Sequence, residues 1–266
     1  MRHSNHAHAN QTMAANASVA PLAMRAAVIS DIHGNLHALK AILADVDREG
    51  VDEVWCLGDI VGYGADPDAC VELVRRHVAV CLGGNHDMAV AGELPMDDFT
   101  VGASVAAQWT REVIAPENMA FLAGLRPQGQ EGHVGLYHAS PRDPVWEYVL
   151  SALLAELCLD AQADRIGLIG HSHVASAFVR HMGRPATGEP RREGAQLDLS
   201  LGEWLLNPGS VGQPRDGDPR AAWLLLDLDG DTAVYRRTSY DVAGAAAAIK
   251  AARLPNSLAE RLEYGQ

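Results

Sequence analysis

Apolar and polar positions fall along the first third of the chain in blocks that change period. "MRAAVISDIHGN" (24–35) is a short apolar run ending in polar residues, the pattern of a strand followed by a loop. Leu36, Leu39, Ile42, Leu43 and Val46 then recur at helical spacing, and Gly50 stands where a helix C-cap belongs. "VDEVWCLGDIV" (51–61) predicts a second strand. "DPDACVELVRRHV" (66–78) predicts a second helix, with Asp66 at the N-cap and Pro67 in the first turn. "VAVCLGGNHD" (78–87) is a third strand running into a polar loop, where Gly83 and Gly84 let the chain turn sharply. This βαβαβ order argues for a parallel sheet covered by helices on its faces.

The pattern changes over residues 88–126. "MDDFTVGASVAAQWTREVIAPENMAFLAGL" (96–125) reads as two or three helices interrupted at Pro116, a small cap-like helical insertion. Strands dominate afterwards: "HVGLYHAS", "RIGLIGHSH", "SAFVRHM", "EWLLNPGSV", "AAWLLLDLD" and "TAVYRRTSY". Asp229-Gly230 predicts a tight hairpin between the last two. One helix, "VWEYVLSALLAELCL" (145–159), interrupts the strands, and 241–266 reads as C-terminal helices. Residues 183–196, rich in Gly, Pro and Arg, read as a mobile hairpin loop.

Residues 1–23 have no periodicity and read as a disordered tail, with 24–266 as the folded domain. His3, His6 and His8 belong to that tail. It lacks the continuous apolar stretch of a signal peptide, and no run approaches the roughly 18 apolar residues of a membrane helix. Cys56, Cys70, Cys81 and Cys158 form no CxxC pair and read as reduced structural thiols. The expected location is cytoplasmic. With a net charge of −13 over 266 residues, the chain is a poor candidate for coating nucleic acid or an anionic membrane. It can still bind an anionic substrate through a local cation.

The candidate chemistry lies where the strands end. "SDIHGN", "GDIVGYG", "GGNHD", "YHAS" and "GHSH" each follow an apolar strand. In a parallel α/β sheet the carboxyl ends of strands share one edge, where ligands bind. Asp31 and His33 alternate in an extended stretch and can turn to one centre. Asp59 offers two oxygens and can bridge two cations. Asn85 offers a carbonyl oxygen without charge, and His138, His171 and His173 add imidazoles. Two carboxylates, one amide and four imidazoles suit two ions rather than one. Two ions roughly 3.5–4 Å apart can clamp the attacking and leaving oxygens of a phosphoryl displacement. Mixed nitrogen and oxygen donors favour divalent Mn, Fe, Co, Ni or Zn over Mg or Ca, with manganese placed first.

In this order the five motifs resemble those of the calcineurin-like metallophosphoesterases, over about residues 24–240. Within that superfamily the chain looks most like the compact bacterial phosphodiesterase-like branch, which "NPGSVGQPRDGDPRAAWLLLD" also resembles. The resemblance implies an α/β fold, a four-layer α-β-β-α sandwich with a dimetal site at one edge. It implies one ion held by Asp31, His33, Asp59 and His173 and another by Asp59, Asn85, His138 and His171. A hydroxide shared by the ions would attack phosphorus. His86 would stand outside the coordination shell as the catalytic residue, donating to the phosphate or to the leaving oxygen.

Protein phosphatases of the superfamily continue the second motif as GDxxDRG. Here Gly62 and Tyr63 occupy the last Asp and Arg positions, and the fourth motif lacks its usual HG, which argues against a protein phosphatase. Arg142 and Arg215 are the candidates to hold the phosphate instead, with a surface or structural arginine as the other reading of each. Asn35 either hydrogen-bonds near the site, caps the helix that begins at Leu36, or does both. Tyr63 either stacks on a base or covers the core. Asp87 has no catalytic assignment; it orients its loop through backbone hydrogen bonds.

The function expected is hydrolysis of a phosphodiester or phosphomonoester in a small phosphorylated substrate, a nucleotide being one form. No extended nucleic-acid surface and no membrane are expected; oligomer formation stays open. A non-catalytic protein-interaction scaffold of the same fold and a dinucleoside-polyphosphate hydrolase are the alternatives.

Overall fold

The computed structural model describes residues 24–266; the tail over 1–23, with His3, His6 and His8, lies outside the described residues. Two six-stranded sheets stack face to face. The first is centred on three parallel strands, β1 (Arg25–Ile29), β2 (Glu53–Cys56) and β3 (Val80–Cys81). The second has a parallel centre of its own, formed by β5 (Val134–Tyr137), β6 (Ile166–Leu168) and β10 (Glu203–Asn207). Antiparallel strands complete both. β4 (Gln128–Glu131), β7 (Ser176–Arg180) and β8 (Thr187–Pro190) extend the second sheet. β9 (Gln196–Asp198), β11 (Ala221–Asp227) and β12 (Thr232–Thr238) extend the first.

Strand alternation sorts the side chains between layers. On β1, Ala26 and Val28 face the second sheet, whose Leu136, Leu168 and Leu206 meet them together with Trp55 and Leu57. Ala27 and Ile29 face the opposite way, onto α1 (Leu36–Glu49) and α2 (Pro67–His77) through Leu39, Ile42, Val71 and Val74. Beyond the second sheet, α6 (Ala152–Ala161) packs Ala155, Cys158 and Leu159 against Phe178 and Leu205. Each large apolar side chain so buried contributes about 1.5–3 kcal/mol, so both faces of both sheets are cohesive, and the result is the expected α-β-β-α sandwich. The 88–126 region begins within α3 (Asn85–Ala91) and continues through α4 (Val101–Val113) and α5 (Pro116–Gly124). α4 joins α7 (Val242–Ala251) and α8 (Asn256–Tyr264) through Ala103, Ala106, Ala246 and Leu258.

Three local expectations are corrected. The helix expected from Val145 begins only at Ala152, where Ser151 accepts a cap bond from the Leu154 N–H. The stretch expected as a loop over 183–196 contains β8 and reaches β9, and β8 pairs along β7 in register. The third motif is not a loop throughout: Asn85 and His86 already lie in the first turn of α3. Among the described residues no helix is long and apolar enough to cross a membrane.

Candidate metal centre

The five polar clusters come from the carboxyl ends of strands in both sheets, and the face-to-face stacking brings them to one edge. Asp31, His33, Asp59, His138, His171 and His173 are all buried, and Asn85 is 3% exposed. Donor atoms of Asp31, His33, Asp59 and His173 lie within 4.8 Å of one another, as do those of Asp59, His138 and His171. The two sets share Asp59. Its Oδ2 is 3.5 Å from His33 Nε2 and 3.6 Å from His138 Nε2.

Asp31 and His33 do not converge by strand alternation. Both have left-handed backbone, with φ of 55° and 49°, and so do Asp59 (55°), His171 (62°) and His173 (59°). Such conformations cost of order 1–3 kcal/mol each and persist where the surrounding structure dictates them. Here the dictating contacts are visible. The N–H groups of Asp31 and His33 donate to the carbonyls of Gly58 and Asp59, and the Ser210 hydroxyl donates to the Asp31 carbonyl.

Hydrogen bonds fix the imidazoles. His33 Nδ1 is 3.0 Å from the Val61 carbonyl, His138 Nδ1 2.9 Å from that of Leu57, and His173 Nδ1 2.6 Å from that of Gln213. A carbonyl only accepts, so each Nδ1 carries the proton and each Nε2 presents a lone pair to the centre. His33 Nε2 and His173 Nε2 face each other at 3.0 Å, and His138 Nε2 lies 3.2 Å from Asn85 Oδ1. His171 Nε2 is buried with no hydrogen-bond partner among the described residues. Two lone pairs opposed at that distance repel. A cation bound to both removes the repulsion: donors about 2.1 Å from one ion at right angles stand about 3 Å apart.

The electrostatics agree. Burial pushes the Asp31 carboxyl up to about 7 and holds that of Asp59 well above the usual range, with the neighbouring Asp87 adding to the latter. Burial depresses His33, His171 and His173 well below the usual imidazole value, and the Arg215 charge adds to this. Metal-free, the pocket disfavours both kinds of ligand charge. Divalent cations reverse that preference for the carboxylates and use the neutral imidazoles directly, so the residues present fit two ions.

Gly84, at the turn after β3, has φ −94°, a value open to any residue, so what requires glycine there is space. A Cβ there would collide with Asp59 Oδ1 and stand 2.6 Å from the Asp59 backbone nitrogen. Gly84→Ala is therefore expected to destabilise the fold by about 1–3 kcal/mol and to lower bound metal, as read from a thermal melt and elemental analysis. Full metal occupancy with an unchanged melt would refute this account of the loop. Asp87 accepts from the N–H groups of Ile60, Val61 and Gly84, clipping the second motif to the third.

His86 lines the same cleft, its ring centroid 4.8 Å from that of His33 and 4.5 Å from Tyr63. Burial, with the charge of Arg215, pushes it down to about 3. Its Nδ1 is buried with no hydrogen-bond partner among the described residues. A Cβ at Gly62 would run into that Nδ1, so position 62 supplies no side chain to orient the ring.

Arg215 reaches the cleft from the loop after β10. It donates to Gln213 Oε1 at 3.0 Å and to the Tyr63 hydroxyl at 3.4 Å, and its guanidinium lies 5.8 Å from the Tyr63 ring centroid. Arg142 instead pairs with Glu147 at 3.2 Å and is absent from the cleft lining. Asn35 caps α1 by accepting from the Ala38 N–H and donates to the Gly212 carbonyl and the Tyr240 hydroxyl. It too is absent from the cleft lining; what it does hold is the segment that leads to Arg215.

Sequence reasoning missed Phe99, Trp146 and Tyr148, which form a wall of the cleft. A signal was present for the last two: Trp146, Tyr148 and Leu150 alternate with polar or smaller residues just after Pro144, and Ser151 is a ready helix cap.

Comparison with known proteins agrees with this architecture. Residues 24–231 match the model of the calcineurin-like phosphoesterase superfamily domain. An uncharacterized protein of Methanocaldococcus jannaschii is 38% identical over 251 residues, covering 90% of this chain and 98% of its own. The crystal structure of a metallophosphoesterase from Sphaerobacter thermophilus is 39% identical, with a TM-score of 0.83 over 92% of this chain and 100% of that one. A hypothetical protein of Pyrococcus horikoshii shares the fold at 19% identity, with a TM-score of 0.74 over 91% of this chain and 99% of its own. With its two stacked sheets, its five strand-end motifs and a family match over most of its length, the chain belongs to the calcineurin-like phosphoesterase superfamily.

Proposed function

We propose that the protein is a dimetal-dependent phosphoesterase that hydrolyses a phosphodiester or phosphomonoester bond in a small phosphorylated substrate. The observation that carries this reading is the pair of donor sets sharing Asp59, at the floor of a cleft also lined by His86 and Arg215. Asp31, His33, Asp59 and His173 would hold one ion, and Asp59, Asn85, His138 and His171 the other. Manganese is the first ion to test. When bound, the ions supply Lewis acidity to the phosphoryl oxygens and make hydroxide available near neutral pH.

The chain's own residues do the rest. Asn85 would coordinate without adding charge, which would keep its ion electrophilic. Arg215, held in place by Gln213 and Tyr63, grips a non-bridging phosphoryl oxygen; it takes over in space a job that the Gly62-Tyr63 pair leaves undone in sequence. His86, neutral in its buried setting, presents an N–H to the substrate. The negative charge of a bound phosphoryl group raises the imidazole's pKa, so the ring takes up a proton from solvent and, as imidazolium, gives it to the leaving oxygen, returning to the neutral form.

Arg215→Ala is expected to lower kcat/KM by about 10²-fold, with metal content unchanged. An effect under about threefold would remove Arg215 from the mechanism.

Metal-loaded protein, its ion content verified, is assayed on bis-p-nitrophenyl phosphate and p-nitrophenyl phosphate. Turnover of either supports the reading, and their ratio sets diester against monoester preference. No turnover of either sinks it in favour of a non-catalytic scaffold.

A further inference from the structure

The cleft carries more aromatic surface than phosphoryl chemistry needs. Phe99 lies 4.7 Å from the His86 ring at 32°. Tyr148 stacks on His171 at 4.2 Å and 23°. Trp146 meets Phe99 edge to face at 5.6 Å and 75°. Two imidazoles of the cleft lining, His86 and His171, thus each have an aromatic ring at stacking distance.

These rings are fixed in place. Thr100 caps α4 directly after Phe99. The Asp143 carboxylate accepts from the N–H groups of Val145 and Trp146, and the Ser140 hydroxyl bonds Glu147 at 2.6 Å. Yet the rings are not sealed into the core, since Tyr148 remains 45% exposed. A preorganised aromatic surface open to solvent is suited to stacking a planar ligand.

Charge limits what that ligand carries. Arg215 is the sole Arg or Lys among the residues lining the cleft, and the exposed Asp98 lies at its mouth. A chain of phosphates leading outward would run from the single guanidinium toward a carboxylate. A ribose hydroxyl or an exocyclic amino group there would find an acceptor.

Resting on the phosphoesterase reading above, we infer that Phe99, Trp146 and Tyr148 form a base-stacking subsite and that the substrate is a nucleoside ester carrying a single phosphoryl group, not a nucleoside polyphosphate. The base stacks on this wall, the sugar spans from wall to centre, and Asp98 accepts from the sugar or the base.

The test is tryptophan-fluorescence titration of the metal-loaded full chain, read by rapid mixing before turnover, with adenosine monophosphate, ribose 5-phosphate and ATP. A Trp146→Phe variant identifies the contribution of Trp146. Adenosine monophosphate is expected to quench and to bind at least about tenfold more tightly than ribose 5-phosphate, with ATP no tighter. Phe99→Ala and Tyr148→Ala are each expected to weaken adenosine monophosphate by about tenfold, in the range of one stacked base, while leaving ribose 5-phosphate within about twofold. Equal affinity for adenosine monophosphate and ribose 5-phosphate, or equal losses for both in the variants, overturns the base subsite. Tighter binding of ATP overturns the single-phosphoryl assignment. The bis-p-nitrophenyl phosphate assay keeps the two readings apart: turnover without base preference refutes the subsite alone. Base-dependent quenching in a protein that hydrolyses nothing supports the subsite and refutes catalysis.

Discussion

Asp59→Ala is expected to yield a folded protein that retains neither ion and has lost more than about 10³-fold of its phosphoesterase turnover. One oxygen of Asp59 lies between the two donor sets, 3.5 Å from His33 Nε2 and 3.6 Å from His138 Nε2, while the other accepts the His86 N–H at 2.9 Å. Removing the carboxylate strips an anionic donor from both positions at once and leaves the opposed donors, His33 Nε2 with His173 Nε2 and His138 Nε2 with Asn85 Oδ1, without compensating charge. The fold itself has less to lose. The orphaned His86 N–H costs about 1–3 kcal/mol. Against this, burial already makes the Asp59 charge unfavourable in the ion-free protein. Elemental analysis beside a thermal melt separates the effects. One full equivalent of metal retained in the variant would show that Asp59 does not bridge.

His86→Ala is expected to behave in the opposite way: both ions retained, kcat reduced by about 10²–10⁴-fold. The His86 ring packs against Tyr63 and Phe99 rather than joining either donor set. Its backbone N–H, which anchors Asp59, survives the substitution. The loss should fall on kcat more than on KM if the ring acts chiefly as the leaving group departs. An emptied metal site in this variant would make His86 a ligand, and the division of labour within "GGNHD" would have to be redrawn.

Much of the framework was readable from periodicity, because strands buried on both faces and helices packed on one leave different spacings. β1, α1, β2 and α2 follow their apolar pattern closely, and Asn35 and Gly50 end α1 as their chemistry dictates. Which residues gather at the site was also readable, since polar side chains ending an apolar strand have few other places to go. How they gather was not. Strand patterning pointed to a single carboxyl edge, and only the motif resemblance implied the two stacked sheets that each contribute one. Sheet stacking depends on which face of each strand is covered, and an all-apolar strand does not disclose that. Trp146 and Tyr148 were misassigned because residues 145–159 are apolar enough to satisfy a helical pattern, while Asp143 and Ser140 hold their first part in an irregular turn through backbone bonds. Arg142 illustrates a different limit. Whether an arginine faces a phosphate or an adjacent glutamate depends on where Glu147 ends up, five positions along a non-helical path.

The left-handed backbone at Asp31, His33, Asp59, His171 and His173 bears on how variants of this site should be read. Aspartate, asparagine and histidine are the non-glycine residues several-fold enriched in that conformation, and they are also the oxygen and nitrogen donors that ions of this kind accept. Main-chain geometry and coordination chemistry therefore select the same short alphabet at five positions. A β-branched replacement at any of them fails on conformational grounds before its donor atoms are considered, so its loss of metal says little about coordination. Asparagine at Asp31 or Asp59 preserves the backbone preference while deleting the charge, and glycine preserves the conformation while deleting the donor. Compared side by side, these two exchanges separate the requirement of the turn from the requirement of the ion.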